Sequence, residues 1–187
     1  MHGLINRGFQ NYVTQIFGAP LWGEICRDID LAEGGFETML RYPTQLSEAM
    51  IDSLLHRVTH TRDVLLEDFG TFLISQHASP AVRELLQLGA PDYQRFLWGL
   101  PDLRDRVQIA LPDFELPNFD LTPLGSGRYH LDFQFRYAGY APVFLGVLRA
   151  MADYYQTLTT VELIPSDSGQ HRRFLIASFG PILVAAQ

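Results

Sequence analysis

Tyr129-His130-Leu131-Asp132-Phe133-Gln134-Phe135-Arg136-Tyr137 alternates apolar and polar residues without a break. Period two belongs to an extended strand, in which successive side chains point to opposite faces. Tyr129, Leu131, Phe133, Phe135 and Tyr137 share one face; His130, Asp132, Gln134 and Arg136 share the other. Just before this stretch, Gly125-Ser126-Gly127 reads as a turn back to a strand-like run with Phe119 and Leu121. Pro112 and Pro117 bracket a linker of Asp113, Phe114, Glu115 and Leu116. Just after it, Pro142 opens a helix carrying Phe144, Leu145, Val147, Leu148 and Met151. Leu158–Ile164 and Arg173–Phe179 then read as a hairpin around Asp167-Ser168-Gly169. The order β-β-α-β-β predicts an antiparallel sheet.

The first hundred residues carry helical spacing instead. Ile5, Phe9, Tyr12, Val13, Ile16 and Phe17 recur at steps of three and four, and Gly18 closes the segment. Leu21, Trp22 and Ile25 continue a shorter helix, and Gly34-Gly35 breaks the pattern. Thr44 reads as an N-cap, followed by Glu48 and the stripe Met50, Ile51, Leu54, Leu55 and Val58. Thr61 reads as the next cap, with Asp63 in the first turn and Val64, Leu65, Phe69, Phe72 and Leu73 behind it. Pro80 opens a helix through Leu86. Pro91 opens another, with Phe96, Leu97, Leu100 and Leu103 facing inward. Pro101 falls inside that pattern and costs an interior helix about 3 kcal/mol, so a kink or restart is expected there. Helices followed by a sheet make the fold class α+β.

Composition narrows the function. The chain has 187 residues, 47% hydrophobic and 19% charged, enough apolar material for one packed domain, which excludes disorder. Net charge is −7, and all 14 cations are arginine. Clustered cations for phosphate contacts are missing, so no nucleic-acid partner is expected. Cys26 is the single cysteine, which excludes an internal disulfide and a cysteine-rich zinc site. No run approaches the ~20 apolar residues that span a bilayer, so no membrane partner is expected. Met1 to Gln10 lacks the features of a signal peptide, and a cytoplasmic location is expected.

No nucleophile-elbow, P-loop, HExxH or dinucleotide fingerprint is present. His56 and His60 have the i, i+4 spacing of a metal pair, but no third ligand accompanies them and Arg57 and Arg62 flank them, so surface or packing roles are expected. Asp102 and Asp105 flank Arg104 as on a solvated helix surface. The aromatic face of Tyr129–Tyr137 has two readings: the core side of a sheet, or the wall of a pocket for a flat apolar ligand.

Several segments resemble the H-NOX family of haem–nitric oxide/oxygen binding domains. They are Met1-His2-Gly3-Leu4-Ile5-Asn6 through Phe9 to Phe17-Gly18, Leu65-Leu66-Glu67-Asp68-Phe69-Gly70, Phe96-Leu97-Trp98-Gly99-Leu100, and Gly139-Tyr140-Ala141-Pro142-Val143-Phe144-Leu145-Gly146-Val147-Leu148. They stand in the family's order and spacing across essentially the whole chain. The resemblance implies a single domain over 1–187, with a helical N-terminal lobe (1–62) packed on a C-terminal lobe (63–187) that holds a four-stranded antiparallel sheet and helices. It also implies a haem between the lobes, a proximal histidine on the iron, and a Tyr-x-Ser-x-Arg motif on the haem propionates. Nitric oxide or oxygen would bind the iron, and the domain would signal to an effector.

Both diagnostic elements are replaced. Arg104 stands at the histidine position, and a guanidinium without a free lone pair is a poor iron ligand. Phe133, Phe135 and Tyr137 stand at the Tyr, Ser and Arg positions, which removes a bidentate arginine–carboxylate contact. Arg136 is one residue away, and alternation points it to the opposite face unless a bulge intervenes. The resemblance places Ile5, Phe9, Leu73, Pro117, Val143 and Val147 on the pocket wall. It also places His77 near the pocket, as the one candidate metal ligand, or else as a surface histidine at a helix C-terminus. The expected function is a stand-alone, non-enzymatic sensor domain for haem or another flat apolar ligand, with an unknown effector protein and a diatomic gas where haem is bound. The alternative is a haem-free interaction or scaffold module, its pocket filled by Phe133, Phe135 and Tyr137.

Overall fold

In the computed structural model the residues described are 1–32, 34–74, 89–165 and 171–181. The chain divides into two units, Met1–Leu65 and Leu66–Gln187.

The first unit holds α1 (Gly3–Ile16), α2 (Ala19–Asp28), α3 (Thr44–Leu55) and the start of α4 (Arg62–Ile74). His2 caps α1, its Nδ1 accepting from the Leu4 N–H at 3.2 Å. α2 packs on α1 and on α3. The buried residues come from the predicted stripes: Phe9, Tyr12 and Val13 of α1, Trp22 and Ile25 of α2, Met50, Ile51 and Leu54 of α3. Thr61 caps α4 as expected, its Oγ1 accepting from the Val64 N–H at 3.4 Å. Thr44 does not cap α3. It is already helical, and Pro43, extended at φ −55° and ψ 138°, takes the cap position. A proline fixed near −65° leads into a helix without needing a side-chain acceptor.

Arg57 ties the second and third helices. It reaches Asp28 Oδ2 at 2.8 Å and Glu24 Oε2 at 3.1 Å, while Ser53 Oγ donates to Asp28 at 2.6 Å. The Ser53 hydroxyl, then Arg57, hold the Asp28 carboxyl below its ordinary pKa.

In the second unit Asp92 caps α5 (Tyr93–Gly99), accepting from the Arg95 N–H at 2.8 Å. α5 stops before Pro101, and α6 (Leu103–Ala110) begins after it, the restart that the proline predicts. Four strands follow: β1 (Asn118–Gly125), β2 (Arg128–Gln134), β3 (Thr157–Ile164) and β4 (His171–Pro181). Between β2 and β3 come a 3-10 turn (Ala138–Tyr140) and α7 (Ala141–Tyr154). The sheet is antiparallel in the order β1-β2-β4-β3. The predicted helix from Pro80 to Leu86 and the turn Asp167-Ser168-Gly169 lie outside the described residues. No helix among the described residues is long and apolar enough to cross a membrane.

The predicted nine-residue strand is shorter in the structure. Its ladder ends at the pair Asn118↔Gln134, and Phe135 to Tyr137 run beyond it into the 3-10 turn.

α7 packs on β3, and it meets the last turns of α4 backbone to backbone. A Cβ on Gly70 would lie 1.9 Å from Val143 O, and one on Gly146 would lie 2.0 Å from Glu67 O. Each glycine leaves the space that the other helix's carbonyl occupies.

Gly70→Ala should therefore lower unfolding stability by about 1–3 kcal/mol through overpacking, read as a reduced urea midpoint. A second prediction concerns acid. The lowered Asp28 pKa contributes stability that is present above its ordinary value and is lost as pH falls through the lowered one. Asp28→Asn should flatten the acid limb of a midpoint-against-pH curve and leave its neutral limb lower than wild type.

Candidate ligand site

Strand alternation carries Phe133 inward from β2, where it is 1% exposed. Its ring centroid lies 5.8 Å from Phe119 of β1, 6.0 Å from Phe174 of β4 and 5.1 Å from Phe144 of α7. Phe135 extends the group, 6.0 Å from Phe133 and 5.1 Å from Tyr137, and Tyr137 lies 6.2 Å from Tyr140. The rings meet edge-on or tilted, the geometry in which the positive edge of one faces the negative face of another. Phe133, Phe135 and Tyr137 thus belong to one continuous aromatic cluster. Sequence reading missed Phe119, Phe144 and Phe174 as its partners. Their signal was an aromatic at an inward position of each neighbouring element.

Arg136 points the other way. It is exposed, pairs with Glu115 Oε1 at 3.2 Å, and sits 5.1 Å from the centre of the Tyr137 ring. The ladder of β2 has no bulge that would turn it inward. Arg104 is exposed on α6 and donates from Nη1 to Asn118 Oδ1 at 2.7 Å.

The apolar residues that the resemblance assigns to a pocket wall fall into two groups. Val143 and Val147, one turn apart on α7, are both buried, as is Pro117; Leu73 on α4 is half-buried. In the first unit, Ile5 and Phe9 are one turn apart on α1, Ile5 half-buried and Phe9 2% exposed. Asn6 interrupts that stripe. It is buried, its Oδ1 accepts from Ser47 Oγ at 2.8 Å, and its Nδ2 has no partner among the described residues. His77 lies outside the described residues.

Among the described residues no catalytic constellation gathers around these groups. His56 follows the last residue of α3, so it and His60 do not share a helix. Both are exposed, and His60 meets Phe17 edge-on at 6.3 Å. Asp102 and Asp105 are exposed. Among the described residues no group of three His, Cys, Asp or Glu could hold a metal. Tyr93 is buried, donates to Leu148 O at 3.1 Å, and has its phenol pKa pushed up by that burial. Burial likewise raises the Cys26 thiol.

A family model described as Haem-NO-binding matches residues 2–163. Among curated proteins, soluble guanylate cyclase gcy-35 of Caenorhabditis elegans is 26% identical over 156 residues, which cover 81% of this chain and 22% of that protein. Soluble guanylate cyclase 89Db of Drosophila melanogaster is 18% identical over 169 residues, 90% of this chain and 25% of that one. The chain thus spans about a quarter of the length of the curated relatives it matches. Among solved structures, an H-NOX protein from S. oneidensis in the Fe(II)NO ligation state superposes with a TM-score of 0.83 at 16% identity, covering 95% of this chain and 99% of that one. An Fe(II) unliganded H-NOX protein from K. algicida gives 0.80 at 18%, with full coverage of both chains. At these identities the structures speak for the fold: helices and a four-stranded antiparallel sheet arranged as in H-NOX proteins.

The contrast between the cluster and the exposed arginine is measurable. Phe133→Ala should lose about 3–5 kcal/mol of unfolding stability, as a large core deletion does. Arg104→Ala, on the surface, should stay within about 0.5 kcal/mol of wild type in the same urea titrations.

Proposed function

Because the chain belongs to the Haem-NO-binding family, whose model covers residues 2–163, we propose that this sensor-type domain reports a planar, apolar ligand held by packing alone. The single observation that carries this reading is the aromatic cluster of Phe133, Phe135 and Tyr137 at the positions where the family grips a carboxylate.

Haem held in the family's manner does not fit these side chains. Arg104 has no lone pair to offer an iron, and its guanidinium is turned to Asn118. Phenylalanine at 133 and 135 and tyrosine at 137 supply no cation for a propionate, and Arg136 is committed to Glu115. A carboxylate set against the cluster would lose hydration without gaining a partner. In this proposal Leu73, Pro117, Val143 and Val147 wall the ligand site, with Phe133, Phe135 and Tyr137 beside them. The domain performs no catalysis in this reading, since no nucleophile is paired with a base among the described residues. It passes ligand occupancy to an effector protein in the cytoplasm, and a diatomic gas enters only through a bound haem.

Titration with the dimethyl esters of hemin and of metal-free protoporphyrin IX, which carry no free carboxylate, tests this. If packing holds the ligand, the two dissociation constants agree within about threefold, because iron adds nothing. Hemin ester bound more than tenfold tighter, with the absorption of histidine-ligated iron, contradicts the reading, as does failure to bind either compound.

A further inference from the structure

β3 is the last strand in the order β1-β2-β4-β3, so among the described residues one of its edges meets no other strand. Register identifies the groups on that edge. Ser178 of β4 gives its N–H to Gly127 O at 2.9 Å, towards the β2 side. Its partner on β3 is Thr159. Partners in an antiparallel pair direct their N–H and C=O groups both towards each other or both away. Thr159 therefore turns its N–H and C=O to the open edge, and Val161 and Leu163 follow at the same phase. The Val161 carbonyl agrees with this: it accepts not from β4 but from Arg149 Nη2 of α7, at 2.8 Å.

A groove of about 480 Å³ runs along this edge, lined by the continuous run from Thr157 to Glu162 and by Arg149, Ala152 and Asp153 of α7. A helix set beside an open strand edge is a geometry into which an extended segment adds as a further strand, main chain to main chain. One end of the groove is apolar. Leu158 is 58% exposed and Tyr154 52%, and Phe179, 67% exposed, lies between the residues paired with Thr157 and Thr159. The flanks are acidic. Asp153 and Glu162 are exposed, and Arg149, the one cation among the described residues lining the groove, is paired with Glu67.

We propose that this groove docks an extended segment of a partner protein, alternating basic and apolar side chains, as an additional strand on β3. The open N–H and C=O of Thr159 and the N–H of Val161 recognise its backbone, Leu158 and Phe179 take an apolar side chain, and Asp153 and Glu162 favour arginine or lysine beside it. A second copy of this chain fits less well, since it would bring the same acidic groove and a net charge of −7. The proposal goes beyond the ligand reading and does not depend on it: porphyrin binding and strand docking are measured separately.

The test uses the full chain and a short peptide alternating arginine and valine, with a glutamate–valine peptide as its control. The arginine peptide should bind and slow amide hydrogen exchange at Thr159 and Val161, which exchange quickly in the protein alone. Thr159→Pro removes an edge N–H that β4 does not use, a change tolerated on edge strands. It should weaken the arginine peptide by about tenfold or more with an unchanged circular dichroism spectrum. Glu162→Arg should weaken the arginine peptide and favour the glutamate one. The proposal is overturned if these amides are already protected in the free protein, if the arginine peptide fails to bind, or if Thr159→Pro and Glu162→Arg leave its binding unchanged. A dimer of the free protein that Thr159→Pro converts to monomer overturns it too, in favour of a second copy.

Discussion

Two absent side chains set the spacing of α4 and α7. Gly70 lies under the carbonyl of Val143, and Gly146 lies under that of Glu67, so the two helices touch at distances no Cβ would allow. Close-packed interiors do not absorb such an overlap by yielding a little everywhere. The contact fixes the height of α7, and α7 packs on the sheet. Phe144 follows the Val143 carbonyl by one residue and reaches Phe119 and Phe133 from there. The aromatic cluster is thus a consequence of helix spacing as much as of strand alternation.

That cluster explains why three substitutions belong together. Donors and a cation at positions 133, 135 and 137 would need partners, because a buried polar group left unmatched costs about 1–3 kcal/mol. Aromatic side chains at these positions make no such demand, and each ring pair adds about 0.5–1.5 kcal/mol beyond the area it buries. Changing only one of the three would leave the others either unmatched or unpacked. Arg136 does not restore the grip, since its exposed pair with Glu115 is worth little and holds it on the other face. Arg104 tells the same story from α6: a side chain that stays at the surface and bonds Asn118 has no call on an iron.

Much of the architecture was legible in the residues. The period-two stretch from Tyr129, the Gly125–Gly127 turn and, among the described residues, the helical stripes of the first hundred all correspond to observed elements, and Pro101 separates two helices where it should. The errors were local. Thr44 has the chemistry of a cap, but Pro43 before it supplies the geometry, a competition that composition does not reveal. The strand was read through Tyr137 because alternation continues, whereas the ladder ends when β1 has no more residues to pair. His56 and His60 have helical spacing, yet α3 ends at Leu55, before both of them. Of the aromatic cluster, Phe133, Phe135 and Tyr137 stood out in the sequence by their alternation and by the motif positions that the resemblance gives them. Their contacts with Phe119, Phe144 and Phe174 did not, because pairing order and helix height are three-dimensional facts. The edge of β3 that meets no other strand among the described residues was invisible for the same reason, since an edge exists only once strand order is known.

The account stands on the idea that the family fold persists here with its polar anchors exchanged for aromatic packing. Haem uptake by Arg104→His, compared with the same change combined with Phe133→Tyr, Phe135→Ser and Tyr137→Arg, measures whether that exchange matters. Histidine-ligated haem absorbance should be missing from the single variant and emerge only in the combined one. If Arg104→His alone takes up stoichiometric, histidine-ligated haem, the aromatic residues never excluded the family's cofactor, and the account is wrong.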